Sequence, residues 1–222
     1  MSAKNTIIEI LNCFETGKAE TNYTAIYLYR DGPHRTKQVT LGRGYTEEGT
    51  LWDVFSEYKS LGGESADKLL AYKSSKGKET LASNKEFLNL LITTAKTDQK
   101  FRNAEDAVYD IGYWNRGDKW VNKYGFTLPL SMLVIQDSFL QSGSMLQFLM
   151  NKFTEKTPIQ NGNEKAWIKA YSETRENWLK NHSNKILNST VYRPKFFLDQ
   201  IEKNNWNLDQ FPIFPNGVRV SI

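Results

Sequence analysis

Apolar residues at Ile7, Ile8, Ile10, Leu11 and Phe14 fall close to the 3.6-residue period, which predicts an amphipathic helix over 2–14. Ser2 or Asn5 caps it and Gly17 stops it. The pattern then changes. Residues 24–31 are rich in Tyr, Ile and Thr and read as a strand. Gly32-Pro33 breaks it, 36–41 form the return strand, and Gly42, Gly44 and Gly49 mark an irregular loop. Helical spacing resumes over 51–61, where Trp52, Phe55 and Tyr58 share a face and Gly62-Gly63 ends the run. A short helix over 65–72 and an exposed turn over 74–78 follow. Ser83 or Asn84 caps a helix running to about Thr94, and 98–124 is helical in pattern with bends at Gly112 and Gly117.

Pro129 suits the first turn of the next helix. Residues 130–140 are apolar nearly all round, which marks a helix buried inside the domain. Asp137 within it needs a partner. Helices are expected over 145–153, 164–181 and 192–203, with a loop over 158–163 and an irregular tail from 204 to 222. The sum is mostly helical with one small hairpin region, read as two helical lobes with a cleft between them. No internal repeat or low-complexity run breaks it.

Composition narrows the class. The 222 residues carry 39% hydrophobic and 24% charged side chains, enough for a sizeable core in one domain spanning 1–222. The net charge of +4 is mild and no basic run resembles a nucleic-acid patch. One cysteine, Cys13, allows no internal disulfide and reads as a small buried apolar residue. His34 and His182 share no ligand spacing with it or with each other, so neither a metal nor another cofactor is expected. No apolar run is long enough to span a membrane, and no signal peptide is evident. The expected site of action is extracellular or on the cell wall, and the expected state is a monomer.

Candidate chemistry sits at the first helix and the hairpin. Glycoside hydrolysis needs one carboxylic acid to protonate the leaving oxygen and a second carboxylate to activate water or to attack. Glu15, beside Cys13 and Phe14 at a helix end, is the acid candidate, and partial burial there would tune it. The plain alternative is a solvated surface glutamate. Asp31 is the base candidate, although Asp-Gly-Pro is equally a turn signature. Glu47 and Glu48 are further bases, ordinarily solvated in such a loop. Thr40 and Thr46 are placed to hold a water, and Arg43 to clamp substrate. Asp137, Arg175 and Arg193 lie in or beside apolar helices, where charges persist only as partners.

At these residues the sequence resembles the family 46 chitosanases of the lysozyme-like superfamily, over nearly the whole chain. Phe14-Glu15 with Gly42-Arg43-Gly44-Tyr45-Thr46 looks like the family's catalytic-glutamate segment and its glycine loop. Tyr113-Trp114, Leu128-Pro129-Leu130 and the run from Ile135 to Gly143 look like its central helices. Asn163 to Trp167, Arg175, Ser189 to Val191, Arg193 and Asn207 to Asp209 look like its C-terminal portion. The resemblance implies a mainly α, lysozyme-like α+β fold, an inverting endo-acting hydrolase and a polysaccharide substrate. It implies that Glu15 is the general acid, that Thr46 places the water, and that Asp137, Arg175 and Arg193 stand behind Glu15. Arg43, Tyr45 and Thr50 are then expected to line the sugar.

Two departures follow. The family's basic aspartate precedes the glycine loop, where this chain reads Val39-Thr40-Leu41. Thr50 stands where the family has an aspartate that recognises the amino sugar. Tyr29-Arg30-Asp31 with Thr40-Leu41-Gly42 is similar to the hairpin of phage-type lysozymes, which makes Asp31 and Thr40 the holders of water. Chitosan is what the family implies, and peptidoglycan is what the departures favour. The rival class is a glycan-binding or interaction protein that has kept the fold and lost the base.

Overall fold

In the computed structural model the described residues are 2–30, 32 and 35–221. Helix α1 spans Ala3–Thr16, capped by the Ser2 hydroxyl on Asn5 N–H and closed by Gly17 in the left-handed region. Strands β1 (Ile26–Tyr29), β2 (Gln38–Leu41) and β3 (Tyr45–Thr46) form one antiparallel sheet in the order β1-β2-β3. Ile26 pairs with Leu41, Tyr29 with Gln38 and Thr40 with Thr46. Helices α2 (Leu51–Ser60), α3 (Ala66–Leu70), α4 (Glu79–Ala82), α5 (Lys85–Thr97) and α6 (Gln99–Tyr109) follow. A π-helical turn over Asp110–Trp114 leads into α7 (Asn115–Tyr124). Then come α8 (Pro129–Ser142), α9 (Gln147–Met150), α10 (Glu164–Lys180), α11 (Lys185–Asn188) and α12 (Tyr192–Glu202). The fold is mainly helical with one small sheet.

The chain forms two compact units, residues 21–112 and residues 1–20 with 113–222. In the first, the fully buried Phe55, Phe87 and Phe101 make the centre, with α2 packed along α6. In the second, α8 is the central rod, its residues from Leu133 to Ser138 all buried. Its N-terminal end is tied down by Glu164, whose carboxylate accepts the Thr127 and Leu128 N–H groups at 2.9 and 2.8 Å. An acidic group at those unsatisfied donors is favoured by the helix dipole as well. Close contact between α7 and α8 needs Gly117: a Cβ there would lie 2.4 Å from Gln136 Oε1.

Several expectations are corrected. The glycine loop is ordered enough to pair a third strand, because Gly42 and Gly44 take positive φ and let the chain reverse onto Leu41. The helix expected over 145–153 shrinks to Gln147–Met150, since Leu146 is extended and offers no side-chain cap. The bend expected at Gly112 in the run over 98–124 is a π turn, which divides α6 from α7. The tail contains one antiparallel bridge, Ile213 to Val220.

Candidate functional site

Glu15 lies in the last turn of α1, where the carbonyls of a helix lack internal partners. Gly17 N–H takes Cys13 O, and the Tyr192 hydroxyl donates to Phe14 O at 2.8 Å. Arg193, next on α12, donates to the Glu15 carboxylate at 2.6 Å and reaches Phe14 O at 3.4 Å. Its other nitrogen donates to Asp137 Oδ1 at 2.9 Å. Asp137 Oδ2 stands 3.4 Å from Arg175 Nη2, which donates to Gln141 Oε1. Phe14 packs edge-on against Tyr192, Phe196 and Phe197, so an aromatic wall fixes the turn from below.

Exposure runs in one direction along this chain of charges. The side chains of Asp137 and Arg175 are 0% and 1% exposed, that of Arg193 is 6%, and that of Glu15 is 44%. Burial alone would pull the Arg193 guanidinium down. Asp137 and Glu15 override it and hold that guanidinium above the usual arginine range. The partial burial expected at Glu15 is modest, and its position is set by a charged hydrogen bond instead. Cys13, fully buried behind it, has its thiol pushed up to about 11, mainly by burial. A thiol so placed is a packing group.

The hairpin residues belong to the other unit. Asp31 lies outside the described residues. Thr40 and Thr46 face each other across β2 and β3, and the Thr40 hydroxyl oxygen is buried without a partner among the described residues. Arg43 is sequestered: it pairs with Asp106 at 3.2 Å, donates to the Thr21 hydroxyl and lies over the Tyr109 ring. Tyr45 is 1% exposed and donates its hydroxyl to Glu105 O, which puts the ring in the interior rather than on a sugar-facing surface. Leu41, in front of the glycine loop, is fully buried as well. Thr50 borders a pocket of about 360 Å³ with Asp53, Glu57, Val108 and Ile111. Among aromatic side chains able to stack on a sugar, Trp52 and Trp114 are buried and Trp120 packs on Trp167, while Tyr113 is 38% exposed.

This unit buries two carboxyls, of which sequence reasoning missed Glu105. Glu47, a further base candidate in a loop where glutamates are ordinarily solvated, is 1% exposed, and burial and then Glu48 push its carboxyl up to about 6. Glu105 is fully enclosed, neither of its oxygens has a hydrogen bond among the described residues, and burial pushes it up to about 9. Period-2 alternation after Tyr45 was the available signal for Glu47. For Glu105 the signal was helical spacing, since it lies four residues from both Phe101 and Tyr109 on the buried face of α6. Among the described residues no His, Cys, Asp and Glu cluster is arranged to hold a metal ion, and no helix is long and apolar enough to cross a membrane.

A family model decides the affiliation, matching residues 13–213. The chain belongs to glycosyl hydrolase family 46. It is a glycoside hydrolase by that membership. Solved structures of similar fold include a chitosanase from Bacillus subtilis MY002, at 23% identity and a TM-score of 0.72, covering 99% of this chain and 98% of that one. The Gynuella sunshinyii family 46 chitosanase in complex with chitotetraose aligns at 18% identity and 0.73, with the same coverage. Comparison with curated protein sequences gave no match.

Proposed function

We propose that this family 46 hydrolase cleaves a β-1,4-linked amino-sugar polymer within the chain, with chitosan as first substrate and Glu15 as the proton donor. The observation that carries the reading is the line of charges from Arg175 through Asp137 and Arg193 to the half-exposed Glu15 carboxyl. Three buried charges serving one accessible carboxyl are expensive as mere scaffolding and useful as preorganisation. In the reaction the bond from C1 to the glycosidic oxygen breaks. Glu15 gives its proton to that oxygen, a water oxygen bonds to C1, and the water's proton passes to a carboxylate on the opposite face. Asp31 is the residue proposed for that base, with Thr40 or Thr46 orienting the water. The partnerless Thr40 hydroxyl supports this, since it has hydrogen-bonding capacity left for a water. Arg43 and Tyr45 act by shaping the turn that carries Thr46.

A second substrate is favoured by one observation. Leu41 is buried in front of the glycine loop and Thr50 is uncharged, so those two positions bring no carboxylate toward an ammonium-bearing sugar. With a net charge of +4, peptidoglycan is then the alternative polymer. The test is release of reducing ends from chitosan and from purified peptidoglycan side by side. Glu15→Gln should lose at least about 100-fold on whichever polymer is cut. Equal activity of wild type and Glu15→Gln would remove Glu15 as the proton donor, and no release from either polymer would leave a glycan-binding role. The anomer first released, read by NMR, reports inversion, for which carboxyls about 6.5–9.5 Å apart are required.

A further inference from the structure

Arg175 is the largest fully buried side chain among the described residues, and its bonding is lopsided. Its Nε and Nη1 make no hydrogen bond among the described residues. Its Nη2 donates to Gln141 Oε1, while the carboxylate it neutralises, Asp137 Oδ2, stays 3.4 Å away without a hydrogen bond. Gln141 lies one turn beyond Asp137 on α8, so the two compete for one guanidinium. The Gln141 amide is not free to turn. Its Nε2 donates to the Thr190 hydroxyl at 2.7 Å, and that hydroxyl donates to Leu187 O at 2.7 Å. The orientation that presents Oε1 to Arg175 is therefore set from outside α8.

We propose that Gln141 is a positioning residue for Glu15: it holds Arg175 off Asp137, so that Asp137 keeps its tight contact with Arg193, and Arg193 is shared between two carboxylates rather than given to Glu15 alone. The inference rests on Glu15 being the proton donor. The charged and titratable groups facing this line are Glu15, Asp137, Arg175, Tyr192 and Arg193. Without Gln141, Arg175 closes on Asp137. Arg193 then binds Glu15 more strongly, and a proton donor whose ionised form is favoured loses its proton at lower pH.

The experiment compares Gln141→Leu and Gln141→Glu with wild type in the full chain. In Gln141→Leu, kcat should fall about tenfold with KM little changed, and the basic limb of kcat should move down by about half a pH unit or more. Gln141→Glu competes harder for Arg175 and should move that limb the other way. The side-chain nitrogen resonances of Arg193 should shift in Gln141→Leu and in Glu15→Gln alike. A lower melting temperature with an unmoved limb and unmoved Arg193 resonances would overturn the proposal, leaving Gln141 as a packing partner of Arg175. Thr190→Val, which only frees the amide, should act in the direction of Gln141→Leu and stands in should that variant not fold. Retained activity in Glu15→Gln removes the proposed function, and the Arg193 resonances alone then decide the inference.

Discussion

Each of the two units buries carboxyl groups, and each solves the problem differently. Around α8 and α12, Asp137 is fully enclosed and two arginines share it, with Glu15 at the outer end of the line. Around the sheet, Glu105 is equally enclosed, but the nearby Arg43 spends its bonds on Asp106 and Thr21. Desolvation then wins over the Arg43 charge, and Glu105 is kept as a neutral acid. Glu47 stands between the extremes: burial raises it, while a hydrogen bond from Gly77 N–H and the charge of Lys76 hold it back. The comparison teaches that burial alone does not make a carboxyl functional. What marks Glu15 is that a buried apparatus ends on an accessible one.

Substitutions can break that contrast, most severely at Asp137. Asp137→Ala leaves Arg175 and Arg193 buried without their shared counter-charge and should cost about 3–5 kcal/mol in denaturant unfolding. A loss under about 1 kcal/mol would mean the two arginines find other partners. Glu105→Gln should act through pH. The native carboxyl is raised from 4.5 to about 9, so its contribution to stability is complete below about pH 4.5 and is lost as pH rises to 9. Wild type should therefore lose up to about 1.4 kcal/mol per pH unit against Glu105→Gln across that window. Parallel curves for the two proteins would show that Glu105 is ionised in the fold. Glu47→Gln should show the same sign in a narrower window, between 4.5 and about 6, with parallel curves above it. A divergence that continues to pH 9 would place the raised titration elsewhere.

Much of the helical frame was legible because its signals were local. Ser2, Asn84 and Gly17 act as caps in the structure, and the all-round apolar run of 130–140 became the buried rod. The third strand and the shortened α9 were not legible, and at Gly112 the pattern showed a bend without its π-helical form. At the site, Asp137, Arg175 and Arg193 could be picked out by the cost of burying charge, and Glu15 by its place at the end of an amphipathic helix. Their order could not. That Arg193 touches both carboxylates while Arg175 leans on Gln141 is a matter of geometry between four helices, α1, α8, α10 and α12. Arg43 misled for the opposite reason: flanking glycines suggested an open clamp, and the aromatic ring of Tyr109 and the Asp106 carboxylate closed it.

The bond from the Tyr192 hydroxyl to Phe14 O spans 178 positions of the chain, and the bond from Arg193 to Glu15 spans the same distance. During synthesis, residues 21–112 emerge complete while the first helix still waits for its anchor. Such long-range closures form late in folding. Any fragment that stops short of Arg193 carries the glutamate without the guanidinium that aims it. Helix α12 thus sets a condition on the order of translation: the carboxyl is aimed only after Arg193 has been made.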